Sequence, residues 1–118
     1  MATVCNVRVK NIRPQYENLA AWMADPQNVY VGRGGIVFIE GVRFPPADSI
    51  WANPYRIEPG RTREESLGLY RAYISRRLAA EPALQAQLGA LRGKKLGCWC
   101  YPLPCHADIL AGLAAETA

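Results

Sequence analysis

The sequence has no long hydrophobic run, and its apolar stretches are far too short to cross a bilayer. Its first residues, Met-Ala-Thr-Val-Cys, lack the basic and apolar regions of a secretory signal peptide. It also lacks an internal repeat and a low-complexity tract. These absences exclude a transmembrane protein and predict a cytoplasmic one with no membrane partner, in which cysteines stay reduced.

Histidine is scarce, with one residue in 118, and the sequence contains four cysteines. The hydrophobic fraction of 50% and the charged fraction of 20% are those of an ordinary globular protein. We therefore expect residues 1–118 to form one domain that folds without a disulfide framework. The net charge of +4 favours anionic partners, such as nucleotides or nucleic acid, although the basic residues are scattered along the chain.

One short segment concentrates the chemistry, because three of the cysteines and the histidine lie between Cys98 and His106. Cys98 and Cys100 flank Trp99 in an apolar run that is typical of a buried strand. Alternation along that strand should place both sulfurs on one side and the indole on the other. Two prolines then prevent a helix until Cys105 and His106, which we predict to lie where the last helix begins.

This segment has three interpretations. A closed tetrahedral zinc site could use three thiolates and one imidazole: Cys98, Cys100, Cys105 and His106. The spacing differs from the two short knuckles of familiar zinc sites, so the sequence allows zinc without requiring it. Alternatively, the helix start lowers the pKa of Cys105, which acts as a nucleophile while His106 or Asp108 transfers protons. In the third interpretation, the cysteines are buried core residues and Cys105 and His106 cap the helix.

A second candidate site follows a short strand at 29–31, where the sequence is Gly32-Arg33-Gly34-Gly35. Glycines let the backbone approach a ligand, and the planar guanidinium of Arg33 suits phosphate or carboxylate. The spacing matches neither a Walker loop nor a dinucleotide-binding fingerprint. The simpler alternative is a hairpin turn between 29–31 and a strand at 36–39. A further strand at 42–44 would then complete an antiparallel meander.

The segment 48–55 combines turn-forming residues with large aromatic ones. Trp51 could cover a base or a sugar while the amide of Asn53 reads its edge. Alternatively, Trp51 belongs to the core and Asn53 hydrogen-bonds its own turn. The sequence leaves both interpretations open.

The remaining patterns predict a small single-domain α/β fold. Thr62-Arg-Glu-Glu65 matches a capping box at the start of a long helix, and Pro82 begins a shorter one. We expect a mixed central sheet built around the last strand and flanked by the Thr62 helix and the C-terminal helix. Open α/β sheets bind ligands beyond the carboxyl ends of their strands, so we expect a Rossmann-like strand-loop-helix pocket there.

Four segments together resemble the uncharacterised domain-of-unknown-function 4326 family, found in bacteria, phages and large DNA viruses. They are 29–33, 49–55, 60–65 and 93–106, the last of which contains the Gly-Cys-Trp-Cys and Pro-Cys-His block. The resemblance covers nearly the whole chain and implies a small stand-alone α/β domain whose activity is not established. The Cys, short loop, Cys-His pattern is also similar to another uncharacterised α/β group, in which this junction resembles a ligand pocket rather than a zinc knuckle.

These expectations combine into one predicted crevice with ligand-binding and catalytic residues. The ligand-binding residues would be Arg33, Trp51, Asn53, Cys98 and Cys100, and the catalytic ones Cys105, His106 and Asp108. The leading hypothesis is a site for a nucleotide- or nucleoside-like anionic ligand, with transferase or hydrolase chemistry at a glycosidic or phosphate ester bond. The alternative is a zinc-stabilised, non-catalytic module that binds nucleic acid or protein. Zinc is the one cofactor that the residues suggest, and they indicate no oligomeric state.

Overall fold

The computed structural model describes residues 2–116 and confirms the α/β class. The strands are β1 (Thr3–Asn6), β2 (Asn28–Tyr30), β3 (Val37–Ile39), β4 (Val42–Phe44) and β5 (Lys95–Cys98). The helices are α1 (Val9–Ile12), α2 (Leu19–Ala24), α3 (Arg63–Ala80), α4 (Pro82–Gly89) and α5 (His106–Glu116). Within the described chain, no helix is long and apolar enough to cross a membrane.

Three strands form a parallel sheet in the order β1-β5-β2. Leu96 of β5 lies opposite Val4 of β1 on one side and Val29 of β2 on the other. The predicted position of the last strand at the centre of the sheet is therefore confirmed. Because the three strands run in one direction, their carboxyl ends meet at the same edge of the sheet.

The other two strands form a separate antiparallel hairpin, in which Val37 lies opposite Phe44. Its turn uses Glu40 and Gly41, both with positive φ, as the twist of a two-residue hairpin requires. The predicted meander is wrong at its first step, because β2 pairs with β5 and not with β3. The backbone N–H of Val31 donates to the carbonyl of Gly97, which extends that pairing beyond the strand.

Two clusters of buried side chains surround the parallel sheet. The larger one gathers residues of α3, α4 and α5 around Leu96, and the smaller one gathers residues of α1 and α2 around Tyr30. Leu96 contacts the larger cluster, whereas its neighbour Gly97 faces Trp22 and Val7 of the smaller one. Since consecutive strand residues point to opposite faces, the two clusters cover opposite faces of the sheet.

The long helix α3 begins at the predicted capping box. The Thr62 hydroxyl accepts from the Glu65 N–H at 3.1 Å, and the Glu65 carboxylate accepts from the Thr62 N–H at 2.9 Å. One turn further on, α3 buries Tyr70, whose hydroxyl donates to the backbone carbonyl of Trp51 at 2.8 Å. The capping box thus determines where α3 starts, and the Tyr70 hydrogen bond holds the chain at Trp51 against α3.

We expect Gly97→Ala to destabilise the fold by about 1–3 kcal/mol, the usual cost of overpacking a core. A Cβ at this position would lie 2.5 Å from the Trp22 ring and 2.7 Å from a Val7 methyl group, and both side chains are buried. Urea unfolding followed by circular dichroism measures the change.

Gly68→Ala is the matched control, because a Cβ there meets no atom within 4 Å. In the interior of α3 it should stabilise the protein by about 0.5–1 kcal/mol, since alanine loses less backbone entropy than glycine. Equal unfolding midpoints for the two variants would contradict the close packing against β5.

Candidate functional site

The carboxyl edge of the parallel sheet opens into a pocket of about 210 Å³. Its wall contains every predicted site residue except Trp51 and Asp108. The lining residues that had been predicted are Arg33, Asn53, Cys98, Cys100, Cys105 and His106. The loop after β2, the loop before α3 and the loop from β5 to α5 therefore meet around one space.

Two buried sulfurs in this wall are in contact. Cys98 is the last residue of β5 and Cys105 immediately precedes α5, and their Sγ atoms lie 3.2 Å apart with the Cys105 thiol donating. The Cys105 hydrogen bond lowers the pKa of the Cys98 thiol, and the backbone N–H groups of Tyr101 and Cys100 lower it further, while burial opposes them. Cys98 therefore carries the thiolate of the pair.

The predicted lowering of the Cys105 pKa is wrong. Its hydrogen bond to Cys98 raises the pKa of the Cys105 thiol, and burial raises it again. The backbone N–H of Ala107, at the start of α5, favours a Cys105 thiolate, but this effect is the smaller one. Cys105 is thus the proton donor of the pair, and the candidate nucleophile is Cys98.

Asp108 caps the last helix and does not line the pocket. Its carboxylate accepts from the backbone N–H of Cys105 at 2.9 Å, while the Asp108 N–H donates to the Cys105 carbonyl at 3.0 Å. This reciprocal pair satisfies backbone groups that the helix start would otherwise leave unpaired. The sequence-based role of Asp108 in proton transfer is therefore not supported, and we assign it a capping role.

His106 is the first residue of α5 and presents a neutral imidazole. Its Nε2 lies 2.6 Å from the carbonyl oxygen of Val31, and its ring packs edge-on against Tyr70. Since a carbonyl only accepts, Nε2 carries the proton and Nδ1 is the basic nitrogen. Burial lowers the pKa of His106, although the hydrogen bond to Val31 opposes this. The ring is therefore uncharged at neutral pH.

Arg33 supplies positive charge to the same pocket. Its Nε and Nη2 donate to the backbone carbonyl of Asn53 at 3.1 and 2.7 Å, which holds the guanidinium in place. Burial lowers the pKa of Arg33, but an arginine keeps its charge in proteins. The flanking glycines permit close packing of the chain: a Cβ on Gly32 would lie 2.5 Å from the Tyr30 hydroxyl, and one on Gly34 equally close to the backbone of Ala47.

Trp51 and Asn53 have structural roles, as the second interpretation of the segment 48–55 predicts. Trp51 is 3% exposed and belongs to the larger core cluster, so it offers no stacking face to a ligand. In the Asn53 side chain, Nδ2 donates to the Ser66 hydroxyl at 3.0 Å, and Oδ1 accepts from the Tyr55 N–H at 2.8 Å. Both polar side-chain atoms of Asn53 are therefore occupied, one within its own turn and the other by Ser66 of α3, even though the residue lines the pocket.

The residues proposed for zinc do not form a metal site. Between residues 2 and 116, no group of three or more histidine, cysteine or acidic side chains has the arrangement that a metal ion needs. The Sγ atoms of Cys98 and Cys105 lie closer together than two thiolate ligands around one zinc ion would.

The sequence patterns did not predict several residues of the pocket wall. Arg63, the first residue of α3, lines the pocket, and its Nη1 donates to the Pro104 carbonyl at 2.9 Å. The capping box could have indicated that Arg63 lies in the pocket wall, because it places the first turn of α3 next to the loop that precedes the helix. The other missed residues are Ile36, Tyr55, Ile57, Ser66, Leu67 and, as a pocket residue, Trp99.

Comparison with known proteins identifies relatives but no activity. The family described as "Domain of unknown function (DUF4326)" matches residues 15–116. An uncharacterized 12.4 kDa protein from the nrdA-td intergenic region of Enterobacteria phage T4 is 38% identical over 63 residues. That match covers 53% of this chain and 57% of the phage protein, so the chain spans little more than half of its relative. No solved structure matches.

Titration of the thiols tests the assignment of the thiolate. We expect a thiolate to form at a pH below the roughly 8.5 of a free cysteine. Cys98→Ala should abolish this transition, and Cys105→Ala should move it to higher pH because the thiol donor is lost. The pH dependence of thiolate ultraviolet absorbance and of iodoacetamide alkylation, read by peptide mass spectrometry, measures both effects.

Cys5→Ala is the control, because Cys5 is half-buried and lies outside the pocket. Its transition at low pH should match that of the native protein. A transition that survives in Cys98→Ala and disappears in Cys105→Ala would place the thiolate on Cys105 and overturn the assignment.

Proposed function

The chain belongs to the DUF4326 family, and from its own geometry we propose that it binds a nucleotide- or nucleoside-like anionic ligand in the pocket at the sheet edge. One observation carries the proposal: a fixed arginine, a polarised thiol pair and a neutral imidazole line the same small space. The proposal includes ligand binding at the junction from β5 to α5, as in Rossmann-like folds, because α/β proteins commonly bind ligands there.

The size and walls of the pocket favour a single flat group. Its volume of about 210 Å³ is below the roughly 300–1,000 Å³ of pockets for drug-sized ligands, so it accommodates one ring system such as a base or a sugar. Tyr55 and Trp99 contribute aromatic surface, and Ile57 contributes aliphatic surface. These side chains suit the faces of a base better than the edges of a polar metabolite.

The charges in the wall favour an anion. Arg33 and Arg63 both line the pocket, and no aspartate or glutamate is among its lining residues in the described chain. A guanidinium recognises phosphate through paired N–H donors, and partial burial strengthens that interaction. A ligand with a ring inside the pocket and a phosphate near the arginines satisfies both features.

The thiol pair and the imidazole support group transfer. In the proposed first step, the Cys98 thiolate attacks an anomeric carbon or a phosphorus atom. The bond to the leaving group breaks, and the leaving group takes the proton of Cys105. A water or an acceptor hydroxyl then attacks the covalent intermediate, gives its proton to Nδ1 of His106 and releases the Cys98 thiolate. His106 then returns that proton to Cys105, which restores both groups for the next turnover. Water as acceptor makes the protein a hydrolase, and another hydroxyl makes it a transferase. A reducing, cytoplasmic setting belongs to this proposal, since the pair acts as free thiols.

A thermal-shift screen of nucleosides and nucleoside phosphates tests ligand binding. We expect at least one phosphate-bearing compound to stabilise the native protein. Arg33→Ala should weaken its binding by about tenfold or more, because a hydrogen bond to a charged group contributes about 1.5–3 kcal/mol. Titration of the shift against ligand concentration gives the ratio of dissociation constants, independently of any change in the ligand-free protein.

Arg76→Ala removes the same charge from the exposed face of α3, away from the pocket, and should leave binding unchanged. Two outcomes count against the proposal. One is that no compound stabilises the native protein, and the other is that the two arginine variants lose affinity equally.

A further inference from the structure

A larger groove adjoins the pocket. Its volume is about 890 Å³, and it shares Arg63, Trp99 and Cys100 with the pocket wall. The shared residues make the two spaces neighbours on either side of one loop segment. Arg63 lines both spaces and therefore lies at their boundary.

The groove carries charge of one sign. Arg8, Lys10 and Arg63 line it, and its lining in the described chain contains no aspartate or glutamate. The two ion pairs found among residues 2–116 lie elsewhere and involve other cations, Arg61 with Glu58 and Arg77 with Glu81. Among the described residues, no carboxylate forms an ion pair with Arg8 or Lys10, which favours a partner with several negative charges.

The groove also presents an exposed aromatic ring. Tyr101 is 47% exposed, and its neighbour Leu103 is 54% exposed. The Asn6 amide donates to the backbone carbonyls of Trp99 and Tyr101, at 3.3 and 2.9 Å, so the segment is held against β1. Cations beside an accessible ring are the combination that binds single-stranded nucleic acid, where phosphates pair with the cations and bases stack on the rings.

We propose that the groove binds the phosphates of a single-stranded nucleic acid whose terminal base occupies the pocket. This inference rests on the proposed function and specifies its substrate class as an oligonucleotide end rather than a free nucleotide. The pocket accommodates only one ring system, so the base in it must be unpaired, which excludes an intact duplex end. The next phosphates then pass Arg63 and reach Arg8 and Lys10.

Fluorescence anisotropy with a labelled oligonucleotide of about 10 nucleotides tests this inference, since single-strand sites cover about 4–16 nucleotides. The key variant is Arg8→Ala combined with Lys10→Ala. Log K for association falls as log salt concentration rises. Removing two phosphate contacts should make this negative slope shallower by about 1.4, or about 0.7 for each contact. Tyr101→Ala should weaken binding by about tenfold or more through the loss of stacking.

The matched control combines Arg71→Ala with Arg76→Ala, which removes two exposed charges of α3 that line neither space. Its salt slope should equal that of the native protein. A slope as low as that of the groove variant would overturn the inference, because the effect would then come from net charge. Competition by polyglutamate as strong as that by the unlabelled oligonucleotide would also overturn it in favour of an acidic peptide.

Mononucleotide binding separates this inference from the proposed function. Thermal shifts by mononucleotides should be unchanged in the groove variant, because the pocket is intact. If mononucleotides bind but the oligonucleotide binds no more tightly, the inference fails and the proposed function stands. If the oligonucleotide binds while no mononucleotide does and Arg33→Ala has no effect, the proposed function fails, together with the placement of the terminal base.

Discussion

The pairing of β5 with both β1 and β2 determines where the functional side chains lie. Because the three strands are parallel and in register, Asn6, Tyr30 and Cys98 end their strands at one edge of the sheet. The loops that leave this edge carry Arg33, the thiol pair and the segment around Trp99. The pocket and the groove are thus two openings of the same edge, separated by the chain that follows β5.

At that edge, the pKa values of the Cys98 and Cys105 thiols shift in opposite directions, although the two groups are chemically identical. Burial alone would raise the pKa values of both thiols. Cys98 receives hydrogen bonds from the Cys105 thiol and from two backbone N–H groups, whereas Cys105 donates its proton. The turn after β5 therefore places a thiolate beside a proton-donating thiol without any acidic or basic side chain between them. Opposite pKa shifts in neighbouring groups are typical of sites that handle protons.

Local signals predicted much of the fold. The capping box at Thr62 and the helix at Pro82 depend on residues close in sequence, and both are confirmed. The partner of β2 depends on a contact across most of the chain, which no local pattern contains. The same limit applies to the burial of Trp51, which depends on contacts with α3. The cysteine loop indicated where the chemistry lies, but the choice between Cys98 and Cys105 depends on the hydrogen-bond geometry of the turn, which the order of residue types does not specify.

The central place of β5 also has a consequence for biosynthesis. A ribosome releases β1 and β2 long before β5, yet neither strand pairs with the other. Until β5 emerges, the parallel sheet cannot form, and the edge groups of both early strands have no strand partner. Joining segments so far apart also carries a loop-closure cost that helices do not. A nascent chain can therefore form the β3–β4 hairpin, α3 and α4 before it has the parallel sheet, and its pocket is among the last features to be completed.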